Sequence, residues 1–254
     1  MRTSAVEILH IEAGKRTHRA DCLAVEEPLT IRVSGEALSL TMRTPGEDEE
    51  LVLGFLYGEG VIQRRADILQ LRGGEVTLAP GVALPPPLRR FPTHAACGVC
   101  GRSALPQAEE PPQRKGGPLF PQAIFPQLSA RVRTAQEVFE ATGGLHAAAL
   151  FTADGALLCL REDIGRHNAL DKVVGWALQQ GLLPLTKHLL FVSGRVSYEL
   201  VQKAARAGIP ALVAVGAPSS LAVAMCQDAD ITLVGFLRGE CFNIYAGEWR
   251  IVSV

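Results

Sequence analysis

The 254-residue chain has no apolar run approaching the roughly 18–20 residues that a membrane-spanning helix needs. Its first residues, MRTSAVEILHIEAGK, lack the unbroken apolar block of a signal peptide, because Glu7, His10 and Glu12 interrupt it. The expected location is therefore the cytoplasm. Charge of one sign is also missing: 25 Lys and Arg stand against 26 Asp and Glu, for a formal net charge of -1. That balance excludes bulk attraction to nucleic acid or to an anionic membrane. There is no internal repeat, no G-x-x-x-x-G-K-[ST] phosphate loop and no second C-x-x-C to complete a four-cysteine zinc site.

What remains is globular. Hydrophobic residues make up 48% and charged residues 20%, enough apolar material for a core rather than a disordered chain. The length suits one large domain or two smaller ones. Cysteines 22, 97, 100, 159, 226 and 241 are expected to be reduced in the cytoplasm. Cys159 and Cys226 lie in apolar runs and read as packing residues. Cys22 and Cys241 carry no signal either way.

The N-terminal part reads as β-rich. LTIRVSG and ALSLTMRT alternate around Ser34–Gly35–Glu36 as a hairpin, and ILQLRGGEVTLA reads as another. GEDEELVLGFLYGEG between them has helical spacing, with Thr44 or Asp48 as a cap and acids in the first turn. From Pro80 to Pro126 proline and glycine are too dense for helix or sheet. SARVRTAQEVFEATGG then predicts one helix closed by Gly143–Gly144, and AAALFTADGALLCLRE a hairpin. Beyond Asn168, apolar strands alternate with helices up to LVGFLRG, which implies a parallel sheet with covered faces. CFNIYAG and EWRIVSV read as a closing antiparallel hairpin. The expected fold class is α/β, with a β-rich domain over 1–125 and a larger domain over 126–254.

Three stretches carry the chemistry. In HAACGVCGRS, Cys97 and Cys100 are flanked by glycines in the middle of the proline-rich segment. With His94 they give H-x-x-C-x-x-C, short of the roughly four ligands of structural zinc. A thioredoxin-type pair opens a helix after a strand, and this pair has no such setting. A nucleophilic or sulfur-carrying thiol fits best: a thiolate takes sulfur as a persulfide, and the second thiol relays it or releases it by closing a disulfide. Arg102 is placed to favour the thiolate. No structural metal is expected.

In EDIGRHNALDK, Asp163, His167 and Asp171 stand four apart and could share a helical face, with His167 as a base. SGRVS and GAPSS each end a strand and open a helix, so their free N–H groups suit phosphate. Ser193, Gly194, Arg195 and Ser219 lie there, and Arg195 and Arg238 supply cationic forks for phosphate oxygens. His146, after Gly143–Gly144, is a weaker candidate.

LGFLYGEGVI, CGVCG, TGGLHAAAL, EDIGRHNALDK, SGRVSYELVQKAARAGIP, APSSLAVAMC and LVGFLRGECFNIY together closely resemble the FdhD family of formate dehydrogenase accessory sulfurtransferases. The resemblance runs from about residue 50 to 246 in the same order. It implies a cytoplasmic homodimer whose C-terminal domain has a cytidine deaminase-like fold. It further implies that sulfur comes from a cysteine desulfurase and goes to the molybdenum of the bis-molybdopterin guanine dinucleotide cofactor, before that cofactor enters formate dehydrogenase. By the same resemblance Cys97 is the persulfide cysteine, Cys100 its partner thiol, and Phe236, Leu237, Arg238, Gly239, Glu240 and Cys241 the cofactor-binding stretch. Guanine nucleotides should mimic the cofactor.

Two rival readings stand beside this one. A zinc deaminase needs H-x-E or C-x-E and then P-C-x-x-C, but Ala96 precedes Cys97 and the only upstream H-x-E is His10–Ile11–Glu12. A non-catalytic cofactor chaperone would not need Cys97.

Overall fold

The chain opens with a ribbon, β1 (Thr3–Glu12) and β2 (Lys15–Ala24), turned through Ala13 and Gly14 at positive φ. Both faces of the ribbon are largely exposed, so it has none of the one-sided alternation that marks a strand in sequence. The computed structural model describes residues 1–82, 84 and 116–253. β3 (Glu27–Val33) and β4 (Glu36–Arg43) form the first expected hairpin. Its turn residues Ser34 and Gly35 have φ of 53° and 85°, the mirror-image turn that matches strand twist. After α1 (Asp48–Gly58), the strands β5 (Ile68–Arg72) and β6 (Glu75–Leu78) complete a four-stranded sheet of order β4-β3-β6-β5. Leu51, Val52, Leu53 and Leu56 of α1 pack on Ile31, Val33 and Val76 of that sheet.

Neither Thr44 nor Asp48 caps α1. The cap residue is Glu47, whose side chain makes no capping bond and instead accepts from Arg2 at 2.7 Å, although acids do fill the first turn. Thr44 is fully buried, and its hydroxyl accepts the Ile164 N–H at 3.2 Å. Asp48 instead forks with Arg43 through two bonds of 2.9 Å.

The chain resumes with β7 (Phe120–Pro121), α2 (Phe125–Ala135) and α3 (Glu137–Thr142). One helix was expected over most of this stretch; the helix breaks at Gln136, where ψ is 79°. The cause is tertiary. The buried Glu162 carboxylate accepts the Val138 and Phe139 N–H groups at 3.0 and 2.8 Å, which gives α3 an N-terminus of its own.

Next come β8 (His146–Thr152), β9 (Leu157–Asp163), α4 (Arg166–Gln179), β10 (His188–Val192), α5 (Tyr198–Ala207), β11 (Ala211–Ala214), α6 (Ser220–Asp228), β12 (Thr232–Arg238) and β13 (Cys241–Ala246). Their six strands form one sheet of order β13-β12-β11-β10-β8-β9. β10, β11 and β12 run parallel, while β8, β9 and β13 are antiparallel to their neighbours. The sheet is thus mixed rather than purely parallel. The expected terminal hairpin does not form: β13 pairs with β12, and β14 (Ile251–Val252) pairs in parallel with β7. Arg250, fully buried, holds that end by a fork to Asp230 at 2.6 and 3.2 Å.

Strand alternation divides the main core in two. Ala148, Leu150, Leu190, Val192, Leu212 and Ala214 face the core covered by α4, α5 and α6. Their neighbours Ala147, Ala149, Leu189, Phe191, Ala211 and Val213 face the core beneath α2, as period two requires. The two sheets are joined by α1 crossing α4 at almost bare backbone. A Cβ on Gly54 would lie 1.8 Å from the Asp171 carbonyl oxygen, and one on Gly175 would lie 1.8 Å from that of Glu50. Among the described residues no helix is long and apolar enough to cross a membrane.

Candidate functional site

The parallel strands β10, β11 and β12 end on one edge, and the loops that follow them are laced together. Val196 and Pro218 form a parallel bridge. Gly216 donates to the Gly194 carbonyl at 3.1 Å, and Phe236 donates to the Gly216 carbonyl at 3.3 Å. Gly216 must be glycine at this crossing, since a Cβ there would lie 2.7 Å from the Gly194 oxygen. Ser193, Gly194, Arg195, Ser219 and the segment Phe236–Cys241, separate stretches in the sequence, therefore share one edge.

Their roles differ. Ser219 caps α6, accepting the Ala222 N–H at 3.2 Å. The Ser193 hydroxyl accepts the Ala147 N–H at 2.9 Å and so ties β10 to β8. Arg195 and Arg238 are exposed, and neither guanidinium group has an ion-pair or hydrogen-bond partner among the described residues. Two uncommitted guanidinium groups at the carboxyl ends of parallel strands suit an anion.

The acidic motif after β9 is mostly structural. Asp163 lies at the end of β9, before α4 begins, so it does not share a helical face with His167. Its carboxylate and the Lys172 ammonium are both fully buried and 2.8 Å apart. It also accepts from Gly165 N–H at 2.8 Å, Asn168 Nδ2 at 2.9 Å and Thr44 N–H at 3.2 Å. Asp171 is spent on Lys203, at 2.5 Å. Burial pushes the Asp171 carboxyl up to about 6, against the pull of Lys203. Only His167 turns elsewhere: its Nε2 is 3.3 Å from Glu199 Oε2 and 3.4 Å from Ser197 Oγ, at the start of α5. The expected carboxylate beside His167 is therefore Glu199. Glu199 was missed, and Ser197, the last residue of the SGRVS junction, was not tied to His167, because only folding brings α5 to α4.

On the α2 side of the same edge lies a cavity of about 570 Å³, within the range of ligand sites. Its lining includes Gln136, Phe139, His146, Ser193, Val215 and Leu237. His146, the lone histidine of the sequence reading, thus joins Ser193, 3.5 Å from its hydroxyl. Burial and then the Arg166 charge hold the His146 imidazole below its ordinary value, so it is neutral at pH 7.

Cys159 and Cys226 are buried as expected, and burial pushes both thiols up to about 12. They are inert at neutral pH. Cys241 is exposed, opposite Arg238 in the β12–β13 pairing, and Cys22 is half-buried on β2. Cys97 and Cys100, with His94 and Arg102, lie outside the described residues. Among the described residues no three His, Cys, Asp or Glu side chains are placed to hold a metal ion. His10 and Glu12 belong to the outward ribbon.

The FdhD/NarQ family profile matches residues 24–252, and the chain belongs to that family. Relatives with the name sulfur carrier protein FdhD cover almost all of it. That of Mycolicibacterium paratuberculosis is 48% identical, spanning 98% of each chain. That of Sulfolobus acidocaldarius is 42% identical, spanning 99% of each. A formate dehydrogenase accessory protein from Desulfotalea psychrophila shares the fold, with a TM-score of 0.76 at 24% identity over 99% of this chain and 100% of that one.

Proposed function

We propose that this protein is a sulfur carrier serving formate dehydrogenase. Cys97 accepts sulfur from a cysteine desulfurase as a persulfide, and the sulfur passes to the molybdenum of bis-molybdopterin guanine dinucleotide before that cofactor enters the enzyme. The observation that carries the reading is the C-x-x-C of Cys97 and Cys100, inside a family whose relatives bear the name sulfur carrier protein. Release balances without an outside reductant. Cys100 thiolate attacks the inner sulfur of Cys97–S–SH, the Cys97–Cys100 disulfide forms, and hydrosulfide leaves toward the metal. The cysteine sulfurs supply the two electrons that reduce the transferred sulfur.

The cofactor is cargo, held at the carboxyl edge of the main sheet. Arg195 and Arg238 meet its phosphates, with Ser193, Gly194, Ser219, His167 and the remainder of Phe236–Cys241 around it. Residues 126–254 are the cofactor domain, of the cytidine deaminase-like type that the resemblance implies. The carrier works in the cytoplasm as a homodimer, where its thiols stay reduced.

Intact-protein mass spectrometry after incubation with a cysteine desulfurase and cysteine tests the first step. Wild type and Cys100→Ala should gain sulfur that a reductant removes; Cys97→Ala should gain none, and Cys100→Ala should keep its sulfur without releasing hydrosulfide. Maturation of formate dehydrogenase by a folded Cys97→Ala protein would return the protein to the chaperone reading.

A further inference from the structure

The β1–β2 ribbon precedes the stretch that the family profile matches, which begins at residue 24. Its ten residue pairs run from Thr3↔Ala24 to Glu12↔Lys15 without a shift of register. The root is fixed. Arg2 donates to the Pro45 carbonyl at 3.3 Å and to Glu47 at 2.7 Å, and Val25 donates to the Arg2 carbonyl at 2.9 Å. Beyond that root, none of the ribbon's side chains belongs to the apolar cores of the described residues. A two-stranded ribbon is marginal by itself in water, and three or more strands with an apolar face are needed for independent stability.

The ribbon nevertheless carries apolar side chains. By its register, Ala5, Leu9 and Ile11 share one face with Ala20 and Cys22, and Leu9 and Ile11 are 47% and 58% exposed. The outer edge of β1 is open as well: among the described residues β1 pairs with β2 alone. Natural edge strands are guarded by proline, bulges, lysine or short length. β1 has ten residues with no proline, no bulge, no lysine and no arginine, and its acidic residues are Glu7 and Glu12.

Charge and area name the occupant. Residues 3–24 hold Lys15, Arg16 and Arg19 against Glu7, Glu12 and Asp21, three charges of each sign. A balanced ribbon suits a copy of itself better than a strongly acidic or basic partner. At about 3.4 Å per residue the ribbon is about 34 Å long, and one face or one edge is about 10 Å across. Either alone would cover about 340 Å² on each copy. Edge and face together would cover about 1,400 Å² over two copies, within the ~1,200–2,000 Å² of stable interfaces. A strand paired antiparallel with its own copy is also what a two-fold axis generates.

We infer that the ribbon is a dimerisation arm. β1 pairs antiparallel with β1 of a second copy across a two-fold axis, and Leu9 and Ile11 close against that copy. The two ribbons become one four-stranded sheet, which supplies the strands that a lone hairpin lacks. The inference rests on the homodimer reading and gives it a surface.

Sedimentation velocity over a dilution series tests this on wild type, Leu9→Lys/Ile11→Lys and Leu9→Glu/Ile11→Glu, with far-ultraviolet circular dichroism as the check on folding. Wild type should sediment at twice the 27.2 kDa of one chain. Each double variant should sediment as single chains, because like charges then face each other across the axis. The two variants mixed should associate again, as opposite charges allow. Hydrogen exchange on wild type needs no variant. The β1 amides that do not bond to β2 should be protected in the dimer and should lose that protection on dilution. Folded double variants that remain dimers would overturn the arm while leaving the homodimer reading in place. So would a mixture that stays monomeric, or β1 amides that exchange equally fast at every concentration. Wild type that is monomeric throughout would sink both, and would leave the ribbon to a different protein.

Discussion

Replacing Gly54 or Gly175 by alanine sets helix propensity against packing. In an exposed helix the change would stabilise by about 1 kcal/mol. Here the new Cβ would lie 1.8 Å from a carbonyl oxygen of the facing helix, where ordinary contact begins near 3.4 Å. Neither helix can yield locally, because the obstacle is backbone. α1 and α4 must part by roughly 1.6 Å, and a gap of even ~0.5–1 Å already forfeits a quarter to a half of a dispersion contact. Overpacking of this kind costs about 1–3 kcal/mol, occasionally more, and this crossing belongs at the upper end. At about 2–4 °C per kcal/mol for a chain of this size, each single variant should melt roughly 6–12 °C lower. The double variant supplies the sharper test. Gly54 opposes Asp171 and Gly175 opposes Glu50, one turn apart on antiparallel helices, so one separation relieves both clashes. The double variant should therefore cost far less than the two singles added together. Thermal and urea melts of all four proteins measure this. A Gly54→Ala protein more stable than wild type, or strict additivity, would refute the reasoning.

Lys172→Met should destabilise by about 3–5 kcal/mol, since it strands the buried Asp163 carboxylate; a loss below about 1 kcal/mol in urea melts would show the pair to be expendable. Asp171 gives a pH signature. Its carboxyl is raised to about 6, so between about pH 4 and 6 the folded state holds a proton that the unfolded state has released. Its contribution to stability is therefore lost as pH rises through that window, and the melting temperature of wild type relative to Asp171→Asn should fall from pH 4 to 6; a flat or rising difference would contradict this. Arg195→Ala and Arg238→Ala should each weaken GDP by about 1.5–3 kcal/mol if each makes a charge-assisted phosphate bond, and calorimetry showing no change would remove that arginine from the site.

Much of the molecule was legible before folding. Each strand and helix from β8 to β12 follows from apolar periodicity, because those elements are buried on both faces or on one stripe. The ribbon β1–β2 was not, since exposure on both faces erases the alternation that betrays a strand. The break at Gln136 was not, because Glu162, distant in sequence, supplies the new N-terminus. The acidic motif was visible as a place where charge gathers, yet its division of labour was hidden. Asp163 and Asp171 look equivalent to His167 until Lys172 and Lys203 are seen to consume them.

The sequence by itself determined the composition of the core, the cysteine pair, the two strand-to-helix junctions and the kinship with the FdhD family. These are local properties: a side chain's polarity, a cap residue, a spacing along one segment. Only the tertiary structure decided that the Ser193–Ser197 and Gly216–Ser220 loops and Phe236–Cys241 share one edge, that His146 lines a cavity there, and that Glu199 is the partner of His167. Those facts depend on which strands become neighbours, and strand order is set by the burial of whole faces against each other, which no single segment encodes.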